Sequence, residues 1–193
     1  MRIIVINHVS LDGVMQGPGD VNEDTRGGFT LGGLAAARND PAMLQAIGQR
    51  MSVPDSGMLL GRWTYQSLLS SWNAKGGPYK DALNSVRKYV VSKNSAVDLP
   101  WPNSTLIHGN TARAIEDLRA HPGGNIVIMG SGKLIRSLIP NGFIDEYLLM
   151  IHPILLGSGK HLFGILPTEK QLELRESTVT PSGVIIGTFV LQA

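Results

Sequence analysis

Residues 125–138 read Asn-Ile-Val-Ile-Met-Gly-Ser-Gly-Lys-Leu-Ile-Arg-Ser-Leu. Asn125 to Met129 is a short apolar run rich in β-branched residues, the pattern of a strand buried on both faces. Gly130-Ser131-Gly132 then turns the chain, and Lys133 to Leu138 continues as a helix that Pro140 and Gly142 stop. A strand, a glycine turn and a helix in this order form the opening of a parallel βαβ unit.

Upstream the same alternation recurs. Ile3 to Asn7 is a buried strand that feeds the turn His8-Val9-Ser10-Leu11-Asp12-Gly13. Pro41 to Met51 carries Met43, Leu44, Ile47 and Met51 at helical spacing behind an Asn39 or Asp40 cap. Gly57 to Leu60 is a strand ending at Gly61, and Arg62 to Ser71 a helix. A short helix follows over Tyr79 to Ser85, then a strand over Lys88 to Val91 that ends at Ser92-Lys93. Thr105 to Ile107 is a strand and Thr111 to Ala120 a helix capped by Thr111. The tail differs, because Ile144–Ile151, Leu172–Ser177 and Gly183–Leu191 read as strands with no helix between them. They should pair as an antiparallel extension. The predicted fold is therefore α/β, one domain over 1–193, with a mixed and mostly parallel sheet flanked by helices.

Composition sets the outer limits. The chain has 193 residues, no cysteine and a net charge of +2. Lack of cysteine excludes disulfide scaffolds, Cys-ligated zinc, iron–sulfur clusters and thiol catalysis, and no metal ligand set is predicted. The two excess charges are scattered, which argues against nucleic acid. No apolar stretch has the length of a membrane span, and Met1 to Ile6 lacks the features of a signal peptide, so a cytoplasmic protein is predicted. Charged residues make up only 17% of the chain, below the usual quarter or so. That suggests a surface partly covered by a ligand or a second subunit. The 23 glycines exceed the roughly 14 that average usage would give. Seven of the glycine and proline positions fall in residues 16–33, a stretch that reads either as a binding loop or lid or as a disordered insertion.

Three strand ends could carry phosphate chemistry, with ordinary capping or a solvated strand end the other reading for the second and third. At Gly130-Ser131-Gly132, free backbone N–H groups and a helix dipole could meet an anion, and glycine permits close approach; a tight structural turn is the other reading. Gly61-Arg62-Trp63-Thr64 is a second junction of this kind, where Arg62 and Thr64 could both face an anion. Ser92-Lys93 is a third, with a hydroxyl beside a cation. The set fits the carboxyl ends of strands in an open α/β sheet, where such sheets bind ligands. The glycine fingerprint of standard dinucleotide folds is broken at Ile135. Gly157-Ser158-Gly159-Lys160 repeats the letters of residues 130–133, but neither copy meets the P-loop pattern, which excludes that NTPase chemistry. Asp12 lies at the end of the first strand, either as a carboxylate facing the crevice or as an Asx-type turn residue. His8 and His152 could be ligands or acids, but they lack metal-ligand spacing and read rather as partnered, partly buried histidines. The three tryptophans read as packing.

Taken together these segments resemble the dihydrofolate-reductase-like superfamily. Within it they are similar to the reductase domain of the bifunctional riboflavin-biosynthesis deaminase–reductase, in a stand-alone form. The carriers are Ser10-Leu11-Asp12-Gly13, Leu60-Gly61-Arg62-Trp63-Thr64-Tyr65, Val91-Ser92-Lys93, Met129-Gly130-Ser131-Gly132, Phe143-Ile144-Asp145-Glu146 and Pro153 through Phe163. The resemblance implies an NADPH-dependent reductase acting like 5-amino-6-(5-phosphoribosylamino)uracil reductase, on a small heterocyclic or carbonyl substrate, and a homodimer. It implies that Gly61, Arg62 and Thr64 meet cofactor phosphates and that Ser92 and Lys93 hold the 2′-phosphoribose. Gly130, Ser131, Gly132 and Leu134 would cradle the pyrophosphate, and Asp12 would serve catalysis. Pro153 to Lys160 would border the pocket or the dimer contact. A dihydrofolate-reductase-like pterin reductase and a non-catalytic nucleotide-binding module are the alternatives. Folate reductases carry an acid on the helix before the Gly-Arg-x-Thr junction, and Met43 to Met51 carries none. The deaminase's zinc signature has no cysteine here to build it.

Overall fold

The computed structural model describes residues 1–192. Eight strands form one sheet: β1 (Arg2–Ser10), β2 (Gly57–Gly61), β3 (Arg87–Val91), β4 (Ser104–Ile107), β5 (Asn125–Met129), β6 (Glu146–His152), β7 (Leu172–Val179) and β8 (Ile185–Leu191). Their order across the sheet is β4-β3-β2-β5-β1-β6-β8-β7. From β4 to β6 all neighbours run parallel; β8 is antiparallel to both β6 and β7.

β1 lies near the middle because its apolar run serves two faces. Ile3 and Val5 pack with Ile126, Ile128, Ile115 and Ile135 on one side. Ile4 and Ile6 pack with Met43, Val127, Leu148 and Met150 on the other. The second face is covered by α1 (Pro41–Met51), α2 (Arg62–Lys75) and α3 (Pro78–Ser85), with Tyr65, Leu69 and Leu83 closing over Met58, Leu60 and Val90. The first face is covered by α4 (Thr111–Ala120) and α5 (Gly132–Leu138). Complete burial of a side chain of this kind contributes about 1.5–3 kcal/mol, so the two-sided core dominates the stability.

Local chemistry sets the helix starts. Asp40 accepts a hydrogen bond from the Ala42 N–H at 2.8 Å and caps α1, with Pro41 in the first turn. At α4 the cap is Asn110, whose side chain accepts from Arg113 N at 3.0 Å. This corrects the expectation that Thr111 caps, since Thr111 is already the first helical residue. Between β3 and β4 the chain crosses over without a helix, so the strand–helix alternation breaks there. The buried Tyr65 hydroxyl takes up this crossover by accepting from Trp101 N at 3.0 Å and Ser104 Oγ at 3.1 Å.

The tail also departs from expectation in its pairing. β6 joins the parallel part through β1, delivered there by the α5 crossover, and β8 inserts between β6 and β7. Only β7 and β8 form the antiparallel extension. Among the described residues no helix is long and apolar enough to cross a membrane.

Candidate functional site

β2 and β5 are hydrogen-bonded neighbours only near their starts, Gly57 beside Ile126 and Met58 beside Val127. Beyond these pairs the strands part. The helices that follow them leave on opposite faces of the sheet, α2 on one and α5 on the other. A crevice at the carboxyl ends of such strands is where open α/β sheets take ligands. Here it is a cleft of about 980 Å³, near the top of the range of about 300–1,000 Å³ for small-molecule sites.

Two side chains hold the parted ends. Ser131 Oγ accepts a hydrogen bond from Gly61 N at 2.8 Å, and Asn7 Oδ1 accepts from Gly130 N at 3.1 Å. Gly130 and Ser131 are both left-handed, with φ of 68° and 63°. A Cβ on Gly130 would stand 3.1 Å from Thr64 Cγ2. Glycine there lets the turn after β5 lie against the first turn of α2.

All nine residues singled out for a cofactor line this cleft: Gly61, Arg62, Thr64, Ser92, Lys93, Gly130, Ser131, Gly132 and Leu134. Its electrostatics are uneven. Arg62, Lys93 and Lys133 face the cleft, and among the described residues none of them has a carboxylate within ion-pair distance. Gly61 at the start of α2 and Ser131 at the start of α5 provide no side-chain cap, so the first N–H groups of both helices remain open. Unneutralised cations beside open helix starts make a site for a polyanion.

Residues 16–33 form a hydrogen-bonded arch rather than a disordered insertion, and part of it lines the cleft. The buried Gln16 amide donates to the carbonyls of Asp24 (2.9 Å) and Arg26 (2.8 Å), while its oxygen accepts from Lys160 N at 2.9 Å. Asp24 pairs with Arg26 and, at 3.0 Å, with Lys160. Burial raises the Asp24 carboxyl, but these two cations outweigh burial and hold it well below the usual range. Arg26 lies 3.9 Å above the Trp63 ring, which ties the arch to α2. Phe29 is buried, whereas Leu31 is exposed.

Asp12 lies outside the cleft lining. Its carboxylate accepts from Ser10 Oγ (2.5 Å), Leu156 N (3.2 Å) and Gly157 N (2.7 Å). The Ser10 hydroxyl first, and then the Gly157 N–H, bring its pKa down to about 2. Asp12 thus fastens residues 153–160 to the end of β1. That segment in turn places Lys160 at the cleft and under the arch.

Sequence reasoning passed over three contributors. Asn7 and Gln16 are neutral; the apolar run before Asn7 could have marked it, whereas Gln16 opens a Gly- and Pro-rich stretch that carries no such signal. The third is the contact of His8 Nδ1 with His152 Nε2 at 3.0 Å, with His8 on the cleft wall.

Comparison with known proteins bears on the family and the fold. Two Bacillus subtilis (strain 168) proteins are similar: Uncharacterized protein YyaP, 32% identical over 53% of this chain and 54% of its own length, and Uncharacterized protein YwjB, 30% identical over 61% and 64%. The chain thus spans under two thirds of these relatives. Among solved structures, a candidate riboflavin biosynthesis protein of Shewanella sp. PV-4 aligns over 100% of both chains with TM-score 0.73 and 24% identity. A pyrimidine reductase-like protein of Corynebacterium diphtheriae aligns over 100% of this chain and 92% of its own, with TM-score 0.64 and 16% identity. Dihydrofolate reductase of Enterococcus faecalis, complexed with NADP(H) and RAB-propyl, aligns over 100% and 97%, with TM-score 0.62 and 14% identity. These structures share the fold. The RibD C-terminal domain model matches residues 2–186, a span that takes in all eight strands at least in part, every junction of the cleft and the Asp12 clasp. By that match the chain is a member of the RibD C-terminal domain family.

Proposed function

We propose that the protein is an NADPH-dependent reductase that delivers hydride to a small heterocyclic or carbonyl substrate, as 5-amino-6-(5-phosphoribosylamino)uracil reductase does in riboflavin biosynthesis. The observation that carries this reading is the set of unpaired cations, Arg62, Lys93 and Lys133, around one cleft with two open helix starts. The donor set suits a dinucleotide with a 2′-phosphate. Arg62 and Thr64 would hold phosphate at α2, and the turn Gly130 to Leu134 would hold the pyrophosphate. Ser92 and Lys93 would take the 2′-phosphate. NADPH, when bound, supplies the hydride. The chain's own part is to place the ligands and exclude water, with Ile6, Met15 and Met129 giving an apolar wall and the arch over 16–33 covering it. Asp12 supports this from outside by holding the segment that carries Lys160.

The test is a titration with NADPH and NADH read by tryptophan fluorescence, to which Trp63 at the cleft contributes, followed by NADPH oxidation with pyrimidine, pterin and carbonyl acceptors. Tighter binding of NADPH than NADH, with turnover of one acceptor, is expected. Equal affinity for both would remove the 2′-phosphate assignment, and binding without any turnover would leave a nucleotide-binding module. α1 carries no acidic residue, which favours a pyrimidine or carbonyl acceptor over a pterin.

A homodimer through the β7 edge is proposed too. β7 has one unpaired side, and Leu174, Val179, Ile185 and Leu191 are exposed around it. Light scattering at twice the chain mass is expected. We propose the cytoplasm as its compartment, in keeping with the reductase reading.

A further inference from the structure

The His8–His152 pair has a polarity that can be assigned. His152, at the end of β6, is fully buried, and its Nδ1 has no hydrogen-bond partner among the described residues. Its Nε2 lies 3.0 Å from His8 Nδ1, with the rings tilted by 43°. His8 is on the cleft wall, and its Nε2 is not among the buried polar atoms that lack a partner. Burial brings both rings down to about 4, and for His152 the neighbouring His8 and Arg38 add to this. Both are therefore neutral at neutral pH, and one proton lies between them.

Two arrangements satisfy the short contact. If His8 Nδ1–H donated, His152 would need its own proton on Nδ1, where it would be a buried N–H with no acceptor. If His152 Nε2–H donates, the unpartnered Nδ1 is a bare lone pair. Proteins leave buried acceptors under-used more readily than they orphan buried N–H groups. The second arrangement therefore prevails, and it forces the remaining proton of His8 onto Nε2. The side chain then presents a neutral donor to the cleft beside the apolar residues Ile6, Met15 and Met129.

We propose that His152 locks His8 as an Nε2–H donor, and that His8 uses this proton as a hydrogen bond to a carbonyl oxygen of a neutral heterocyclic substrate, selecting oxo over amino groups at that position. The tautomer stands on the contact geometry together with the neutrality of both rings. The substrate class rests on the reductase reading above. His8 holds and orients the acceptor without giving up its proton, a role that neither Arg62 nor Lys93 could fill among apolar walls without burying a charge.

The test is long-range proton–nitrogen NMR on the full chain labelled with ¹⁵N-histidine at pH 7. His8 is expected as the Nε2–H tautomer in wild type, as a tautomer mixture in His152→Phe, and restored in His152→Gln, whose amide can donate to Nδ1. An Nδ1–H tautomer in wild type, or no change in His152→Phe, overturns the lock. Uracil and 2,4-diaminopyrimidine are then added as probes. Uracil is expected to move the His8 Nε2–H resonance and to bind about tenfold more weakly to His8→Phe, while the diamine leaves that resonance in place. No response to uracil, or the same response to both, overturns the substrate class. NADPH titration of the same samples separates the two ideas: a locked His8 in a chain that ignores NADPH leaves the tautomer standing and removes the reductase reading.

Discussion

Ser131 Oγ accepts the Gly61 N–H at 2.8 Å, so the turn after β5 and the turn after β2 are one unit although 70 residues separate them. The bond replaces the ladder that β2 and β5 abandon after Met58 and Val127. It also sets how far the two open helix starts stand apart, and with that the spacing of whatever phosphates they hold. Ser131→Ala should lower stability by about 1 kcal/mol, the usual worth of one hydrogen bond, and weaken NADPH binding several-fold. Ser131→Gly loses the same bond but relieves a left-handed residue, φ 63°, which for a non-glycine costs about 1–2 kcal/mol. Thermal denaturation should therefore find the glycine variant near wild type, while cofactor titration finds both variants impaired.

Asp12 separates binding from positioning. Because its carboxylate holds Leu156 and Gly157 and does not line the cleft, Asp12→Asn should keep NADPH affinity within about twofold and lower turnover about tenfold through a slackened Lys160 segment. Wild-type affinity and wild-type turnover together would show that the clasp does not reach the site. The pH dependence follows from a folded pKa of about 2 against the ordinary 3.8. Such a depressed carboxyl stabilises the fold above the ordinary value and loses that contribution as pH falls towards 2. Acid unfolding followed by circular dichroism should be less steep over this window in Asp12→Asn.

Much of the frame is legible because it is written locally. α1 begins at Pro41 behind an Asp40 cap and ends at Met51, as its spacing predicts, and the glycine junctions at Gly61 and Gly130 announce where strands give way to helices. Strand partners are a different matter. The apolar run of β6 says that it is buried but not that it lies beside β1, because α5 decides where it lands. The same holds in the site. Nine cleft residues sit at strand ends and could be found one by one. The Asn7–Gly130 bond spans 123 residues and the His8–His152 contact 144, and no spacing rule links such pairs. Asn110 and Thr111 can each cap a helix, so composition does not choose between them.

Lys88 gives a stability test away from the cleft. It is fully buried on β3 and donates to the carbonyls of Leu83 (2.6 Å), Val86 (2.7 Å) and Asn84 (3.3 Å), closing the end of α3. Burial lowers its pKa to about 8 from 10.5. Lys88→Met should cost about 2–3 kcal/mol at pH 7, since it orphans carbonyls held by a charged donor. Between pH 8 and 10.5 the unfolded chain binds more protons at this site than the folded one, so Lys88 makes stability rise with pH. Urea unfolding at pH 7 and 9.5 should therefore show a wider gap between wild type and variant at the higher pH.

Arg62 and Lys93 should divide the cofactor between them. Arg62 stands at the start of α2, where the pyrophosphate side of either nicotinamide dinucleotide would lie, and Lys93 follows the end of β3, where only NADPH presents a phosphate. Removing one cation that meets a phosphate costs on the order of 1.4 kcal/mol, a factor of about ten in Kd. Arg62→Ala should therefore weaken NADPH and NADH alike by about tenfold. Lys93→Ala should weaken NADPH by that factor and leave NADH nearly unchanged, so the preference between the two collapses. Added salt should act in the same direction, because both cations are unpaired and open to solvent on the cleft side. Fluorescence titrations at about 0.05 M and about 0.5 M NaCl should show wild-type NADPH affinity falling more than NADH affinity, and Lys93→Ala should erase that difference. If Lys93→Ala weakened both dinucleotides equally, the 2′-phosphate would have to be held elsewhere, with Lys133 and Arg136 the other cleft cations that lack a carboxylate partner among the described residues.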